Sequence, residues 1–337
     1  MSDATPLMTV KGLTKHFPIK GGMLGRTVSR VHAVDGISFD VLRDETLGVV
    51  GESGCGKSTT ARLLMHLIAP DAGEIIFDGR RVGSRDMTMA SYRSQVQMVF
   101  QDSYSSLNPR LTIQDSVAFG PQVHGVRRRD ALQRTHDLLD RVGLDPARFA
   151  ARYPHELSGG QRQRVNIARA LAVRPRLIIL DEAVSALDKS VEAQVLNLLA
   201  DLKKEFGLAY VFISHDLNVV RYISDRVLVM YLGRVAELGR AEDVYAAPQH
   251  PYSAALLSSM PTGDPDRRVE KAALQGDPPN PIDLPGGCRF HTRCPLVGTM
   301  CRGTEPELAR IARDHDVACH ARIPGSGHRP ESKERAA

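Results

Sequence analysis

The feature that most constrains the fold of this chain is a glycine-rich loop, Gly51-Glu52-Ser53-Gly54-Cys55-Gly56-Lys57-Ser58-Thr59, set between an apolar run and a helical pattern. Thr46–Val50 reads as a buried strand and residues 57–67 as a helix, the context in which G-x-x-x-x-G-K-[ST] binds phosphate. The glycines let consecutive amides face the phosphates, and the helix N-terminus adds partial positive charge. Lys57 reaches the β and γ oxygens, while Ser58 offers its hydroxyl to Mg²⁺. The Cys55 thiol, close to that helix N-terminus, could acquire a lowered pKa, but its small size suits it better as filler within the turn.

The remaining pattern is α/β. Short β-like runs at 8–10 and 37–41 precede the loop, with residues 18–30 reading as a long hairpin connection. Glu74-Ile75-Ile76-Phe77-Asp78-Gly79 is a strand ending in an Asp-Gly turn. Residues 110–156 carry Leu132, Leu138, Leu139 and Val142 at helical spacing, an inserted helical subdomain between two α/β stretches. Strands at 177–180, 208–214 and 226–231 then alternate with a helix at 191–206, implying a mainly parallel or mixed sheet with helices on both faces. Beyond residue 247 the chain turns proline-rich, which marks a boundary.

Leu177-Ile178-Ile179-Leu180-Asp181-Glu182 ends a buried strand in two carboxylates. At that tip Asp181 suits Mg²⁺ and Glu182 suits polarising an attacking water as general base. About a hundred residues past the first loop lies a second phosphate-contacting segment, Leu157-Ser158-Gly159-Gly160-Gln161, opening a helix at 161–172. It begins Leu157-Ser158-Gly159-Gly160-Gln161-Arg162-Gln163-Arg164, which resembles the signature motif of ATP-binding cassette (ABC) ATPases. The companion motifs of that family stand in order: Gln101 in Val99-Phe100-Gln101-Asp102 resembles the Q-loop, Ser185-Ala186-Leu187-Asp188 the D-loop, and His215 in Ile213-Ser214-His215-Asp216 the switch histidine. Phe17 sits where the family stacks an aromatic ring on adenine, and Ala183 replaces a common proline after the catalytic Glu.

The resemblance implies a P-loop NTPase cassette that binds ATP and Mg²⁺, with Ser58, Gln101 and Asp181 around the metal and Glu182, His215 and Gln101 as catalytic groups. It also implies that Ser158, Gly159, Gly160, Gln161 and Asp188 complete the ATP site of a partner cassette, identical or paralogous. The hairpin stretch at 18–30, the segment Gln101-Asp102-Ser103-Tyr104-Ser105-Ser106-Leu107-Asn108-Pro109-Arg110 and the run His250-Pro251-Tyr252-Ser253-Ala254-Ala255-Leu256-Leu257 resemble the ATPase subunits of bacterial oligopeptide and dipeptide importers. Nickel and glutathione importers share much of this pattern.

Four of the five cysteines, Cys288, Cys294, Cys301 and Cys319, crowd into the C-terminal region. In a reducing compartment such a set suggests metal, as iron–sulfur or zinc, with His291, His315 and His320 as further candidate ligands. The peptide-importer resemblance implies a 4Fe-4S cluster on these cysteines, with zinc as the alternative. The expected organisation is a nucleotide-binding domain over 1–247 with its helical subdomain at about 102–165, a small metal-binding extension over 248–322 and a disordered tail over 323–337.

No run approaches the roughly 18 apolar residues of a membrane span, and the N-terminus lacks a secretory signal pattern, so the chain is expected at the cytoplasmic face of the membrane as a peripheral subunit. The resemblance implies two permease subunits, a periplasmic or lipid-anchored substrate-binding protein acting indirectly, and no nucleic acid. A soluble ABC ATPase acting on DNA or ribosomes is the alternative from another class. Neither the long coiled-coil insertion nor the second cassette of such relatives appears in the sequence, and exporters, which commonly fuse the membrane domain, lack a cysteine tail of this kind.

Overall fold

A computed structural model describes residues 5–21, 26–260 and 277–331 of the chain. It divides into two compact units: one of Met1–Thr9, Asp40–Thr46 and Ile75–Asp216, the other of Val10–Phe39, Leu47–Glu74 and Leu217–Ala337.

In the first unit, strands Val96–Val99, Leu177–Asp181 and Ala209–Ile213 run parallel, with Val96 opposite Leu177 and Asp181 opposite Ile213. Every residue of Leu177–Asp181 and Ala209–Ile213 is buried, as expected of strands covered on both faces. Ile113–Val123, Arg128–Arg141 and Gly159–Leu171 pack on one another as a helical layer. Thr112 caps the first of these through the Asp115 amide. Cross-links fix their order, since Arg134 Nη1 donates to the Ala172 carbonyl at 2.9 Å and Arg164 Nη1 to that of Val142 at 2.7 Å. Helix Lys189–Phe206 buries Val195, Leu196, Leu199 and Leu202 at helical spacing and stops at Gly207, whose φ is 59°. The Asp-Gly turn stands where expected: Asp78 and Gly79 both take positive φ between Ala72–Phe77 and the short strand Arg80–Arg81.

In the second unit, Thr46–Val50 runs parallel to Arg226–Tyr231, which turns back through Leu232 and Gly233 into the antiparallel strand Arg234–Arg240. His315–Val317 pairs with Arg234–Arg240, and Ala309–Ala312 pairs with His315–Val317. The C-terminal extension therefore continues the sheet of this unit, a role its sequence does not announce because strands this short carry no readable alternation. The long connection expected at 18–30 is mostly strand, since Met8–Gly21 and Arg26–Val41 extend into it; residues 22–25 lie outside the described residues. The helix after the phosphate loop is shorter than its pattern, Lys57–Leu64, because His66 takes a left-handed φ of 50°. Of the tail expected to be disordered, residues 323–331 are described, with the Glu331 amide donating to the Val297 carbonyl at 2.8 Å. Residues 332–337 lie outside the described residues.

Candidate functional site

The phosphate loop belongs to the second unit. Gly56 sits at φ 108° as N-cap of Lys57–Leu64, and a Cβ there would lie 2.2 Å from the Ala33 carbonyl oxygen, so only glycine fits the turn. Lys57 is buried and folded onto its own loop, donating to the Gly51 carbonyl at 2.7 Å and the Glu52 carbonyl at 3.0 Å. The lysine thus rests on neutral oxygens that a polyphosphate can replace with charged ones. Burial pushes the Cys55 thiol up rather than down, which fits filler and not a reactive thiolate. Ser58 and Thr59 open the helix. Phe17 is 37% exposed on its strand, with the Lys15 ammonium 5.7 Å from the ring centroid.

The catalytic candidates converge in the first unit. Asp181 is buried at the end of its strand, and the next residue, Glu182, takes a left-handed φ of 49°. A non-glycine residue held there is strained, and its amide is pinned by the Ile213 carbonyl at 2.9 Å on the neighbouring strand. The Glu182 carboxylate receives a hydrogen bond from Gln101 Nε2 at 2.7 Å, on the same oxygen that lies 3.5 Å from His215 Nδ1. Three residues drawn from distant stretches of sequence therefore share one carboxylate oxygen. His215 is 62% exposed and Glu182 17%, so this group is open to a ligand from outside.

The segment Leu157-Ser158-Gly159-Gly160-Gln161 is built as a helix start. Ser158 Oγ accepts from the Gln161 amide at 3.3 Å while Gln161 Oε1 accepts from the Ser158 amide at 3.0 Å, a reciprocal capping box. A Cβ on Gly160 would meet Val191 Cγ1 at 2.5 Å, so this glycine lets Gly159–Leu171 approach Lys189–Phe206. Asp188 stands at the N-cap of the latter helix, and Lys189 beside it bonds Glu192 at 2.9 Å and Asp216 at 2.8 Å.

Cys288, Cys294, Cys301 and Cys319 are all free thiols, half-buried or buried. The Cys288 amide donates to the Cys301 carbonyl at 2.8 Å. Burial pushes the Cys288 thiol up to about 12 and Cys294 up to about 11, and neighbouring thiols of the set push both the same way. Among the described residues, no three of these sulfurs lie mutually within 4.8 Å. The three histidines considered as ligands are engaged elsewhere: His291 Nδ1 lies 2.8 Å from the Cys288 carbonyl, His320 Nε2 3.0 Å from that of Thr304, and His315 Nε2 2.7 Å from the fully buried Glu237 carboxylate. His16, His32 and Asp35 do gather their ligand atoms within 4.8 Å, but the guanidinium groups of Arg289 and Arg234 already take the Asp35 carboxylate and oppose a cation there.

The sequence pattern gave no hint of the contacts between the C-terminal extension and the phosphate loop. Phe290, Tyr231, Tyr252 and His250 form an aromatic cluster, and Arg293 reaches Glu52. Partners 200 and 241 positions apart leave no periodicity; the nearest signal was the run at 250–257, which contains Tyr252.

Comparison with known proteins accords with this arrangement. The "ABC transporter" family profile matches residues 34–185, and the "Oligopeptide/dipeptide transporter, C-terminal region" profile matches 236–301. A probable peptide ABC transporter ATP-binding protein, y4tS of Sinorhizobium fredii, is 51% identical over 97% of this chain and 92% of its own length. The oligopeptide transport ATP-binding protein AppF of Bacillus subtilis is 49% identical over 93% and 97%. The glutathione import ATP-binding protein GsiA of Pectobacterium atrosepticum is 51% identical over 95% of this chain, which spans 49% of that protein. Among solved structures, the dimeric ADP- and Pi-bound ATP-binding cassette MJ0796 superposes with a TM-score of 0.60 at 28% identity, over 69% of this chain and 98% of that one. With relatives this similar along nearly its whole length, the chain belongs to the ABC transporter ATP-binding family, in the branch that carries the oligopeptide/dipeptide transporter C-terminal region.

Proposed function

We propose that this chain is the ATP-hydrolysing subunit of a bacterial importer that energises uptake of oligopeptides or dipeptides across the cytoplasmic membrane. The observation that carries the catalytic part is the convergence of Gln101, Glu182 and His215 on one carboxylate oxygen. Lys57 and the loop amides would bind the β and γ phosphates of ATP, and Ser58, Gln101 and Asp181 are the residues that would hold Mg²⁺. Glu182 would act as general base, its strained backbone fixing the carboxylate at the strand tip, with Gln101 and His215 beside it as the further catalytic groups. Ser158, Gly159, Gly160, Gln161 and Asp188 serve the ATP of a partner cassette, so two chains, identical or paralogous, close on two nucleotides. The dimeric cassette to which the fold is similar supports that assembly.

The helical layer carries the permease contact. Phe119 and Val123 lie one turn apart on Ile113–Val123 and are 62% and 66% exposed, an apolar pair that suits a helix offered by a membrane subunit. Among the described residues no helix is long and apolar enough to cross a membrane, which agrees with a peripheral subunit under two permease chains. Peptide as cargo rests on y4tS and AppF; the equal identity to GsiA favours glutathione, itself a tripeptide, as the second reading.

The four cysteines hold a 4Fe-4S cluster in this reading. Structural zinc usually uses C-x₂₋₄-C pairs, which the spacing of Cys288, Cys294, Cys301 and Cys319 lacks, and this favours the cluster over zinc. Such a group supplies folding energy to a proline-rich segment or an electron at low potential. A broad visible absorption from anaerobically purified protein supports the cluster, and a colourless zinc-containing protein refutes it. For catalysis, Glu182→Gln is expected to keep ATP binding, trap a closed dimer and cut turnover by about a hundred- to ten-thousand-fold. Wild-type turnover in that variant sinks the base assignment.

A further inference from the structure

We propose that Arg293, on the C-terminal extension, is a positioning residue of the phosphate loop that cancels the charge of Glu52 and thereby sets the affinity of the loop for ATP. Glu52 is the second residue of the loop, and each of its polar groups is held. Its amide donates to Tyr252 Oη at 2.8 Å, and its carbonyl accepts from Lys57 Nζ at 3.0 Å and the Cys55 amide at 3.2 Å. Its carboxylate takes both Arg293 terminal nitrogens, at 2.9 and 3.1 Å, a bidentate fork. Two of these grips, Tyr252 and Arg293, come from the extension and one from the lysine that receives the phosphates.

The fork is itself built in. The Arg293 side chain is 5% exposed, Tyr231 Oη lies 3.4 Å from Nη1, and the guanidinium lies 6.0 Å from the Phe290 ring centroid. Arg293 Nε, buried and without a partner, leaves Glu52 and Tyr231 as the groups that its nitrogens bond. A carboxylate inside a phosphate-binding loop opposes a polyanion unless it is neutralised. At an effective dielectric constant of about 20, a unit charge about 10 Å from one phosphate charge changes affinity roughly tenfold. Arg293 removes that penalty and turns the carboxylate into an anchor for the loop backbone, which makes the extension part of the nucleotide site.

The proposal rests on Gly51–Thr59 being the ATP loop, and titration of a fluorescent ATP analogue into the full chain separates the two. A wild-type chain that binds no ATP sinks the loop assignment; the variants test Arg293. Arg293→Gln is expected to weaken ATP about tenfold and ADP less, with the loss shrinking at high salt. Adding Glu52→Gln to it is expected to restore affinity to within about threefold of wild type, because the uncompensated charge is gone. Unchanged affinity in Arg293→Gln, or a double variant as weak as the single, overturns the proposal, since a residue acting only through folding is not rescued by removing a charge. Should Arg293→Gln not fold, Arg293→Lys carries the test: it keeps the charge and loses the fork, so affinity stays within about threefold, and a tenfold loss overturns charge compensation.

Discussion

Replacing Phe290 by alanine tests whether the extension is a structural part of the cassette or an appendage to it. Phe290 is 2% exposed and packs edge-on against Tyr231, with centroids 5.3 Å apart and planes at 89°, and against Tyr252 at 5.5 Å. Tyr231 ends a strand paired to Thr46–Val50, the strand that delivers the phosphate loop. Truncation to Ala removes the ring from a closed cluster and costs about 3–5 kcal/mol, including the aromatic contacts of about 0.5–1.5 kcal/mol each. With a urea slope of about 3 kcal/mol per M, the midpoint of unfolding falls by about 1–1.7 M. Phe290→Leu, which keeps most of the volume, is expected to cost under about 1.5 kcal/mol. The chain has no tryptophan, so tyrosine fluorescence and far-ultraviolet circular dichroism are the probes. The extension is no more than an appendage if the main transition stays in place and only a small separate step moves.

Further predictions follow from the caps and buried charges. Ser158→Ala deletes half of the capping box at the start of Gly159–Leu171 and is expected to cost about 1 kcal/mol, read as a drop of a few degrees in Tm, while ATP turnover falls more steeply than stability. His250 is buried with its pKa pushed down to about 4 by desolvation, and its Nδ1 accepts from the Tyr252 amide at 3.0 Å. The unfolded chain therefore binds a proton that the folded chain refuses, so stability falls as pH drops from about 6.5 through about 4, by about 3 kcal/mol in all. Urea titrations across that window in wild type and His250→Asn check it, the variant showing the flatter profile. Asp78, held down to about 2 by Arg176 and Arg43, contributes stability above the ordinary carboxylate pKa that is lost as pH falls through about 2; Asp78→Asn is expected to lower Tm at pH 7 but not at pH 2.

Local chemistry was legible in the sequence wherever the required residues are contiguous. The phosphate loop, the Asp-Glu strand end and the Asp-Gly turn each need neighbours within a few positions, and each stands in the fold at its expected place; a helix start near Ser158 was expected too, but its capping box emerged only in the structure. Extended segments were less readable. The hairpin at Met8–Gly21 and Arg26–Val41 mixes exposed and half-buried positions, so its outer halves looked like loop. The strand His315–Val317 is too short to show alternation and is held by its partner Arg234–Arg240 and by the buried Glu237 with His315.

Taken alone, the sequence determined the groups on offer: a glycine loop with its lysine, two carboxylates at a strand end, and four thiols. Only the tertiary structure decided which groups meet. Gln101, Glu182 and His215 come from three different stretches and share one oxygen because parallel strands Leu177–Asp181 and Ala209–Ile213 end side by side. Arg293 meets Glu52 across 241 positions because aromatic packing around Phe290 seats the extension against the phosphate loop. Motif chemistry depends on short-range spacing, which a sequence carries directly; a salt bridge between distant segments depends on burial and shape, which exist only once the chain has folded.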